Sequence, residues 1–258
     1  MKERIDFGKC PLCDSLEFEK FKVGDCSGHF SYDETLSKNI IWNICRNCRH
    51  VFTEGYYTDE AIKIVFRKTQ GLQKLGFEFE KNRYVSARMI EKVIPYASGG
   101  HWLDVGFGNG SLLFTAQEYG FKPYGLDLRQ DNVAQLSSWG VRADCSDISK
   151  LKMDEEFSVI SMMDVLEHMP YPRVGLSEAY RLLKAGGVLF LSMPNRESWA
   201  WEFLDHKNMN PYWGEMEHYQ NFGRARLYEL LNEFGFSPVR YGVSERYRVC
   251  MEVVAVKK

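Results

Sequence analysis

The sequence LDVGFGNGSLL at residues 103–113 decides the fold. Its first residues form a short apolar strand, and three glycines spaced two apart then allow a tight turn. A ligand can approach the backbone of such a turn because no Cβ stands in the way. The segment SLLFTAQEYG (111–120) continues as an amphipathic helix that ends at Gly120. This order predicts the first unit of a parallel sheet with a ligand crevice at its carboxyl edge.

The alternation of strand and helix continues downstream of this unit. Further strands are predicted at KPYGLDL (122–128), VRAD (141–144), FSVISMMD (157–164) and VLFLSM (188–193), and helices at DNVAQLSSWG (131–140) and VGLSEAYRLLKAGG (174–187). Strands that alternate with helices at this spacing indicate βαβ units. The predicted fold class is therefore α/β, a Rossmann-like doubly wound sheet that is mostly parallel.

Acidic residues stand at the ends of these predicted strands. Asp104 precedes the first glycine of the turn, Asp127 ends the second strand, and Asp144 ends the third. A carboxylate after the second strand can bind both hydroxyls of a ribose. One after the third strand can accept a hydrogen bond from an adenine amino group. The pattern predicts a ligand that contains a nucleoside.

The glycine spacing distinguishes between two such ligands. A dinucleotide-binding turn has the pattern G-x-G-x-x-G, whereas the third glycine here, Gly110, comes one residue early. The Asp104 carboxylate would repel a pyrophosphate, but it suits a ligand with an amino group. S-adenosylmethionine has a sulfonium, an amino group, a ribose and an adenine, and it has no phosphate. The residues favour it over NAD, and so argue against an NAD-dependent oxidoreductase.

Four of the seven cysteines form two matched pairs, Cys10-Pro-Leu-Cys13 and Cys45-Arg-Asn-Cys48. Two such pairs complete the tetrahedral shell of four thiolates that Zn²⁺ prefers, and a closed shell leaves no open catalytic position. The pattern predicts a structural zinc site. The alternative is a coincidental or redox-active Cys-x-x-Cys, but a redox motif usually occurs once in a chain.

The residues around the second cysteine pair, IIWNICRNCRHVF (40–52), have the strand, turn and strand of a zinc ribbon. His29 and His50 are spare ligands should one cysteine not bind, and His50 is expected at the surface. The ribbon up to Thr58 holds eight Lys and Arg residues against nine Asp and Glu residues, net −1. That balance argues against a nucleic-acid partner.

Length and composition set the broad class. The chain has 258 residues, 45% of them hydrophobic and 26% charged, with a net charge of −2. These values fit a globular protein with one large domain, or one domain with a small appendage. No apolar run is long enough for a membrane span, and MKERIDFGKC (1–10) lacks the apolar core of a signal peptide. We therefore expect a cytoplasmic protein with no membrane partner.

Three segments follow from these patterns: a zinc ribbon at 1–57, a helical linker or cover at 58–98, and a nucleoside-binding domain at 99–258. In the linker, apolar residues recur at helical spacing, and Gly71 and Gly76 divide it into two or more helices.

Several motifs resemble those of a known family. The stretches LDVGFGNGSLL, YGLDL, ADCSDI, MMDVLEHMPYP and LLKAGGVLFLSMPN are similar, as a set, to the successive motifs of class I S-adenosylmethionine-dependent methyltransferases over residues 100–194. The cysteine pairs and EHYQNFGRARLYELLNEFGF (217–236) resemble a branch from antibiotic and surface-polysaccharide biosynthesis. That branch includes sugar C-methyltransferases with N-terminal zinc ribbons, which carry a further C-terminal domain that is not seen here.

The resemblance implies roles for individual residues. Asp104 would lie near the cofactor amino group, Asp127 would hold the ribose, and Met163 would flank the methionine side. The other implied cofactor residues are those of the turn and of the next two strand ends: Gly106, Gly108, Asn109, Gly110, Leu128, Asp144 and Cys145. An insertion at 195–222 would cover the acceptor, followed by a helix at 224–234 and an antiparallel hairpin at 237–244 and 248–256.

Methyl transfer is an in-line displacement on an activated sulfonium, so the protein mainly positions its substrates. A base is needed only where the nucleophile must lose a proton. His168 is the first candidate, because related small-molecule methyltransferases use a histidine of the L-E-H segment; the alternative is that it caps or packs beneath the acceptor pocket without acting as a base. His218 in the insertion is the second candidate, and an exposed hinge residue is an equally weighted alternative for it. Asp164 could orient the acceptor or the cofactor amino group.

The insertion is rich in aromatic residues, which favours a lid that stacks on a sugar, ring or acyl group over a dimer patch. The predicted function is methyl transfer to a small-molecule acceptor: a sugar, a nucleotide sugar or a natural-product intermediate. An RNA or protein methyltransferase that uses the ribbon as reader, and a non-catalytic cofactor-binding protein, are the alternatives. The sequence leaves open whether the protein forms a homodimer.

Overall fold

A computed structural model describes residues 2–65 and 71–258, so residues 66–70 of the predicted linker lie outside the described chain. The strands are β1 (Arg4–Asp6), β2 (Phe18–Asp25), β3 (Asn39–Cys45), β4 (Val51–Thr53), β5 (Gly55–Tyr57), β6 (Gly100–Val105), β7 (Phe121–Asp127), β8 (Arg142–Cys145), β9 (Phe157–Met163), β10 (Leu183–Pro194), β11 (Gln220–Asn221), β12 (Phe236–Val243) and β13 (Cys250–Lys257). The α-helices are α1 (Asp59–Val65), α2 (Phe79–Val93), α3 (Ser111–Glu118), α4 (Gln130–Ser138), α5 (Pro172–Leu182), α6 (Trp199–His206) and α7 (Arg224–Glu233). Short 3₁₀ turns lie at Gly71–Gln73, Ile148–Lys150, Leu166–His168 and Pro211–Trp213.

The chain divides into two compact units. The first, here called the cysteine unit, combines the described residues of Met1–Thr69 with Glu167–Arg173 and Pro194–Leu227. The second, the sheet unit, contains the remaining described residues up to Lys258. This division differs from the predicted one, because the insertion after β10 belongs with the N-terminal segment.

The sheet unit is built on seven strands in the order β12-β13-β10-β9-β6-β7-β8. The pairs β10–β9, β9–β6, β6–β7 and β7–β8 are parallel. Strands β6, β9 and β10 are buried along most of their length, as the continuous apolar runs of a parallel sheet covered on both faces require. The predicted α/β fold with a mostly parallel, Rossmann-like sheet is confirmed.

The C-terminal part of the sheet unit agrees with the predicted helix and hairpin. Helix α7 is followed by β12 and β13, which pair in antiparallel register from Phe236–Lys257 to Val243–Met251. Trp102, Phe121 and Phe190 contribute to the apolar core beside α2. No helix among the described residues is long and apolar enough to cross a bilayer.

The cysteine unit contains a four-stranded sheet in the order β11-β4-β3-β2. Strands β3 and β4 confirm the predicted strand, turn and strand around Cys45 and Cys48. The fourth strand, β11, comes from the insertion and pairs with β4 through Gln220–Phe52 and Asn221–Val51. The insertion therefore completes the sheet that the N-terminal segment begins.

Aromatic residues of the insertion form part of the interior of the cysteine unit. Trp201, Trp213, Tyr219 and Phe222 are buried. The indole of Trp42 in β3 donates to the Trp213 carbonyl oxygen at 2.9 Å, and the two rings meet edge to face. The prediction of a lid applies at most to the exposed aromatic residues Trp199 and Phe203 of α6, because the buried ones serve as core.

Candidate cofactor and acceptor sites

The glycine turn lies between β6 and α3 at the carboxyl edge of the sheet. Gly106, Gly108 and Gly110 all have positive φ values, 69°, 52° and 75°. A Cβ on Gly106 would lie 2.8 Å from a Val165 methyl, whereas a Cβ on Gly108 would have its nearest neighbour, the Gly106 carbonyl oxygen, 4.0 Å away. The backbone at Gly108 is therefore accessible to a ligand. The positive φ values would strain the backbone if any of the three residues had a side chain, whereas glycine adopts them without strain.

Asp104 at the end of β6 is buried, with 3% of its surface exposed. It accepts a 2.6 Å hydrogen bond from Ser161 Oγ, and Ser161 Oγ in turn accepts from the indole of Trp102 at 2.8 Å. Burial raises the pKa of Asp104 to about 7, although the Ser161 hydrogen bond and the nearby Arg246 act in the opposite direction. The carboxyl is therefore poised to change charge when a cationic group arrives.

Asp127 at the end of β7 is also buried, and its carboxylate is bound by Arg129. Oδ1 accepts from the backbone N–H and Nε of Arg129, both at 3.0 Å, and Oδ2 accepts from Nη2 at 2.8 Å. Arg129 also donates to Gln73. Arg129 was not predicted from the sequence, although an arginine two residues after the acid is a local signal. Leu128 between them is exposed.

The predicted adenine and methionine residues occupy different surroundings. Asp144 in β8 accepts a hydrogen bond from the Tyr124 hydroxyl, and Cys145 is exposed with its Sγ 3.5 Å from the Leu128 carbonyl oxygen. Met163 packs in the apolar core, so its side chain is a structural element and its backbone is what stands at the strand end. The Asn109 side chain accepts from the backbone N–H of Ser111, the first residue of α3, at 3.1 Å.

Asp164 follows β9 in a left-handed conformation, with φ 57°. Its Oδ1 accepts from Ser192 Oγ at 2.9 Å, and its Oδ2 accepts from Arg246 in the loop between β12 and β13. Two acids thus stand at the carboxyl ends of β6 and β9, and an arginine from another loop binds one of them. The arginine was not predicted, because it is far from Asp164 in sequence.

The four paired cysteines converge within the cysteine unit. Their sulfur atoms all lie within 4.8 Å of one another, with Cys10–Cys48 at 3.7 Å and Cys13–Cys45 at 3.5 Å. A tetrahedral zinc site with Zn–S bonds of about 2.3 Å has sulfur–sulfur edges of about 3.8 Å. The observed separations match such a tetrahedron and exceed the length of a disulfide bond.

The two spare histidines lie elsewhere. His29 forms a 2.6 Å contact with Glu215, which raises its pKa against the effect of burial. His50 is buried, with Nε2 at 2.8 Å from the Gln220 side chain, and burial lowers its pKa to about 3. The prediction that His50 is a surface residue is wrong, because β11 of the insertion covers it.

His168 and His218 come together in the cysteine unit, where their rings meet edge to face at 4.7 Å. His168 Nδ1 lies 2.9 Å from the Glu217 carbonyl oxygen. Because a carbonyl only accepts, that nitrogen carries the proton and Nε2 is left with its lone pair. Burial lowers the pKa of His218 to about 3, with the neighbouring His168 acting in the same direction, so its ring is neutral.

Glu167 lies beside this histidine pair and is fully buried. Its carboxylate and the two rings offer ligand atoms within 4.8 Å of one another, a set that could hold a divalent cation. The same arrangement suits a polar cluster that orients a base. Both histidines were predicted from the sequence, but their mutual contact depends on a fold that the sequence alone does not show.

The fold and the carboxyl-edge residues define a class of protein: an α/β domain that binds a nucleoside-containing ligand at a glycine turn. The family model described as "Methyltransferase domain" matches residues 79–241, more than half of the chain. The chain therefore belongs to this methyltransferase family. This confirms the class predicted from the motifs, an S-adenosylmethionine-dependent methyltransferase of class I.

The chain is similar to curated relatives over the same region. It is 34% identical over 119 residues to a ubiquinone biosynthesis O-methyltransferase from Coxiella burnetii, covering 43% of this chain and 50% of that protein. It is 34% identical over 136 residues to the protein of that name from Nitrosococcus oceani, covering 49% and 58%. The chain thus spans about half the length of these relatives.

Among solved structures, a magnesium protoporphyrin IX methyltransferase from Synechocystis with bound S-adenosylhomocysteine superposes with a TM-score of 0.53. The sequences are 19% identical, and the match covers 71% of this chain and 94% of that one. At this identity the likeness supports the fold. The N-terminal cysteine pairs precede the region matched by the family model.

Proposed function

We propose that the protein transfers a methyl group from S-adenosylmethionine to a small-molecule acceptor. The observation that carries the proposal is the carboxyl edge of the sheet unit, where an accessible glycine turn stands beside Asp104 and Asp127. When bound, S-adenosylmethionine supplies a methyl group on a sulfonium, which a nucleophile displaces in line. The chain's own residues bind and orient the two substrates.

The residues at this edge fit the cofactor. The bare backbone at Gly108 allows close approach, and Asp104 offers a carboxyl for the amino group. Among the described residues, Oδ2 of Asp127 accepts one hydrogen bond, from Arg129, so that oxygen has capacity for a ribose hydroxyl while Arg129 stays in place. Asp144 and Cys145 stay predictions for the adenine, and both are exposed at β8.

His168 is proposed as the base where the acceptor nucleophile must lose a proton. Its Nδ1 is bound to the Glu217 carbonyl, so Nε2 can accept a proton without a change of tautomer. The neutral ring of His218 orients it through the edge-to-face contact. Asp164 stays a candidate for orienting the acceptor or the cofactor amino group; in the structure Ser192 donates to its Oδ1 and Arg246 to its Oδ2.

The four cysteines are proposed to hold a structural Zn²⁺. The fit rests on the four sulfur donors and on separations that match a tetrahedron. All four positions would be filled by protein, so the ion would contribute to folding and would not contact the acceptor.

A small-molecule acceptor is favoured over an RNA substrate by the charge of the N-terminal segment of the cysteine unit, which holds eight Lys and Arg residues against nine Asp and Glu residues up to Thr58. The histidine pair lies in the same unit. The names of the curated relatives suggest an O-methyl acceptor, and we propose small molecules with a free hydroxyl group, nucleotide sugars among them, as the first acceptors to screen.

The cofactor part of the proposal is tested by calorimetric titration of the full chain with S-adenosylhomocysteine and, separately, with NAD. We expect micromolar binding of the first and none of the second. Asp127→Asn should weaken binding, and Asp131→Asn, which changes an exposed acid in the first turn of α4, should not. Absence of binding to the wild type would refute the cofactor assignment.

The base is tested once an acceptor has been found. His168→Gln should lower kcat by about 100-fold or more, as expected for loss of a general base, and leave the affinity for S-adenosylhomocysteine within about twofold. His206→Gln, an exposed histidine at the end of α6, is the matched control. Unchanged turnover in His168→Gln would mean that the nucleophile needs no base or that the base lies elsewhere.

A further inference from the structure

The loop between β12 and β13 places an arginine at the acidic edge of the sheet unit. Arg246 Nη2 donates to Asp164 Oδ2 at the end of β9, and the guanidinium also acts on buried Asp104 at the end of the neighbouring strand β6. Local sequence does not explain the contact with Asp164, because the two residues are 82 positions apart. The fold therefore brings this arginine to the carboxyl edge of the sheet.

The loop that carries Arg246 is held firmly. Lys92 of α2 donates to Glu245 at 2.7 Å and to Glu252 at 2.6 Å, and Glu252 accepts the backbone N–H of Glu245 at 2.9 Å. Ser244 Oγ accepts the backbone N–H of Arg246 at 3.1 Å. A side chain on such an anchored loop loses little conformational freedom when it binds a ligand, so its position is set in advance.

Arg246 has donors to spare. Its side chain is 34% exposed, and within the described chain only Nη2 has an acceptor, Asp164. Asp164 is itself held by Ser192. The Asp164 carboxylate therefore holds the guanidinium in position. The remaining N–H donors of the guanidinium are available to a second carboxylate.

Other basic side chains nearby are already occupied. Arg129 binds Asp127 at the end of β7. In α2, Arg83 pairs with Glu118, and Arg88 and Lys92 both pair with Glu245. Arg246 is the arginine that acts on both acids at the ends of β6 and β9.

The amino-acid end of S-adenosylmethionine is a zwitterion, so a site for it needs an acid and a cation side by side. Asp104 offers the acid. We infer that Arg246 binds the cofactor's carboxylate, with Asp164 positioning its guanidinium, an inference that rests on the proposed function. An acceptor carboxylate has the same chemistry, but Arg246 binds the acid at the end of β9, the strand that pairs with β6 and its Asp104, and this favours the cofactor as the source.

The test compares two ligands that differ only in the carboxylate. The full chain is titrated with S-adenosylhomocysteine and with its decarboxylated analogue, which keeps the amine, the ribose and the adenine. The wild type should bind S-adenosylhomocysteine about 10- to 100-fold more tightly, the range for a charge-assisted hydrogen bond. Arg246→Ala should lower that affinity to the level of the analogue and leave the analogue's own affinity unchanged.

Two further variants complete the design. Arg246→Lys should restore part of the preference, because a lysine keeps the charge without the fork. Arg248→Ala, which removes an exposed arginine two residues along the chain, should behave as wild type.

The inference is overturned if the wild type binds both ligands equally, or if Arg246→Ala weakens both by the same factor, as a general disturbance of the site would. It is also overturned if the variant binds S-adenosylhomocysteine normally, which would leave an acceptor carboxylate as the partner. Failure of the wild type to bind either ligand would refute the cofactor assignment itself.

Discussion

The raised pKa of Asp104 predicts a specific dependence of stability on pH. The folded protein holds this proton up to about pH 7, whereas the unfolded chain releases it near the ordinary value of 3.8. Between those values the native state binds one more proton than the unfolded state. The free energy of unfolding therefore falls as pH rises, by about 1.4 kcal/mol per pH unit. From about pH 5 to about pH 8 the loss amounts to roughly 2–3 kcal/mol.

The variant Asp104→Asn removes this loss, because an amide has the shape of the carboxyl, can still accept from Ser161 and carries no charge. Urea unfolding followed by circular dichroism, at a series of pH values, measures the difference between variant and wild type. From about pH 5 to about pH 8, we expect the free energy of unfolding of the variant to rise by roughly 2–3 kcal/mol relative to that of the wild type. Asp131→Asn should show the wild-type slope. A difference that stays constant with pH would refute the reasoning.

Two further predictions concern the cysteine unit. Cys45→Ser should release bound zinc, measured as metal per chain, and lower the melting temperature, because three thiolates no longer close the shell; retained zinc and an unchanged melting temperature would contradict the metal assignment. Gly24→Ala should destabilise the unit by about 2 kcal/mol or more, since the new Cβ would lie 1.7 Å from the Trp213 carbonyl oxygen, a backbone atom that cannot turn aside. Gly28→Ala, whose Cβ would meet nothing within 4 Å, is the matched control for thermal melting, and equal effects of the two substitutions would rule out the steric argument.

The elements of the sheet unit were predictable because their signals are local. The strand, glycine turn and helix around Asp104 follow from residue type and spacing within a few positions. The end of β7 at Asp127 and the α7–β12–β13 order also agree with the sequence-based expectation. In a parallel sheet the carboxyl ends meet at one edge, so placing acids at strand ends already places them in one crevice.

The partners of those acids could not be predicted in the same way. Arg246 meets Asp164, and His50 meets Gln220, across 82 and 170 residues of chain. Strand β11 has two residues, too few to show any periodicity. His50 therefore looked like a polar residue beside a turn, although pairing of β11 with β4 buries it.

The pairing of β11 with β4 also connects the cysteine cluster to the histidine pair. Strand β4 begins three residues after Cys48, and β11 begins two residues after His218. The Thr53 backbone N–H, at the end of β4, donates to the Tyr219 carbonyl oxygen at 3.0 Å, and the Tyr219 N–H donates to the Glu167 carbonyl oxygen at 2.9 Å. Loss of order at the cysteines would thus be passed through the sheet to the segments that hold His218 and His168. A structural ion at the cysteines would support the proposed base without contacting any substrate. Turnover should then depend on the metal even though the affinity of the sheet unit for S-adenosylhomocysteine does not.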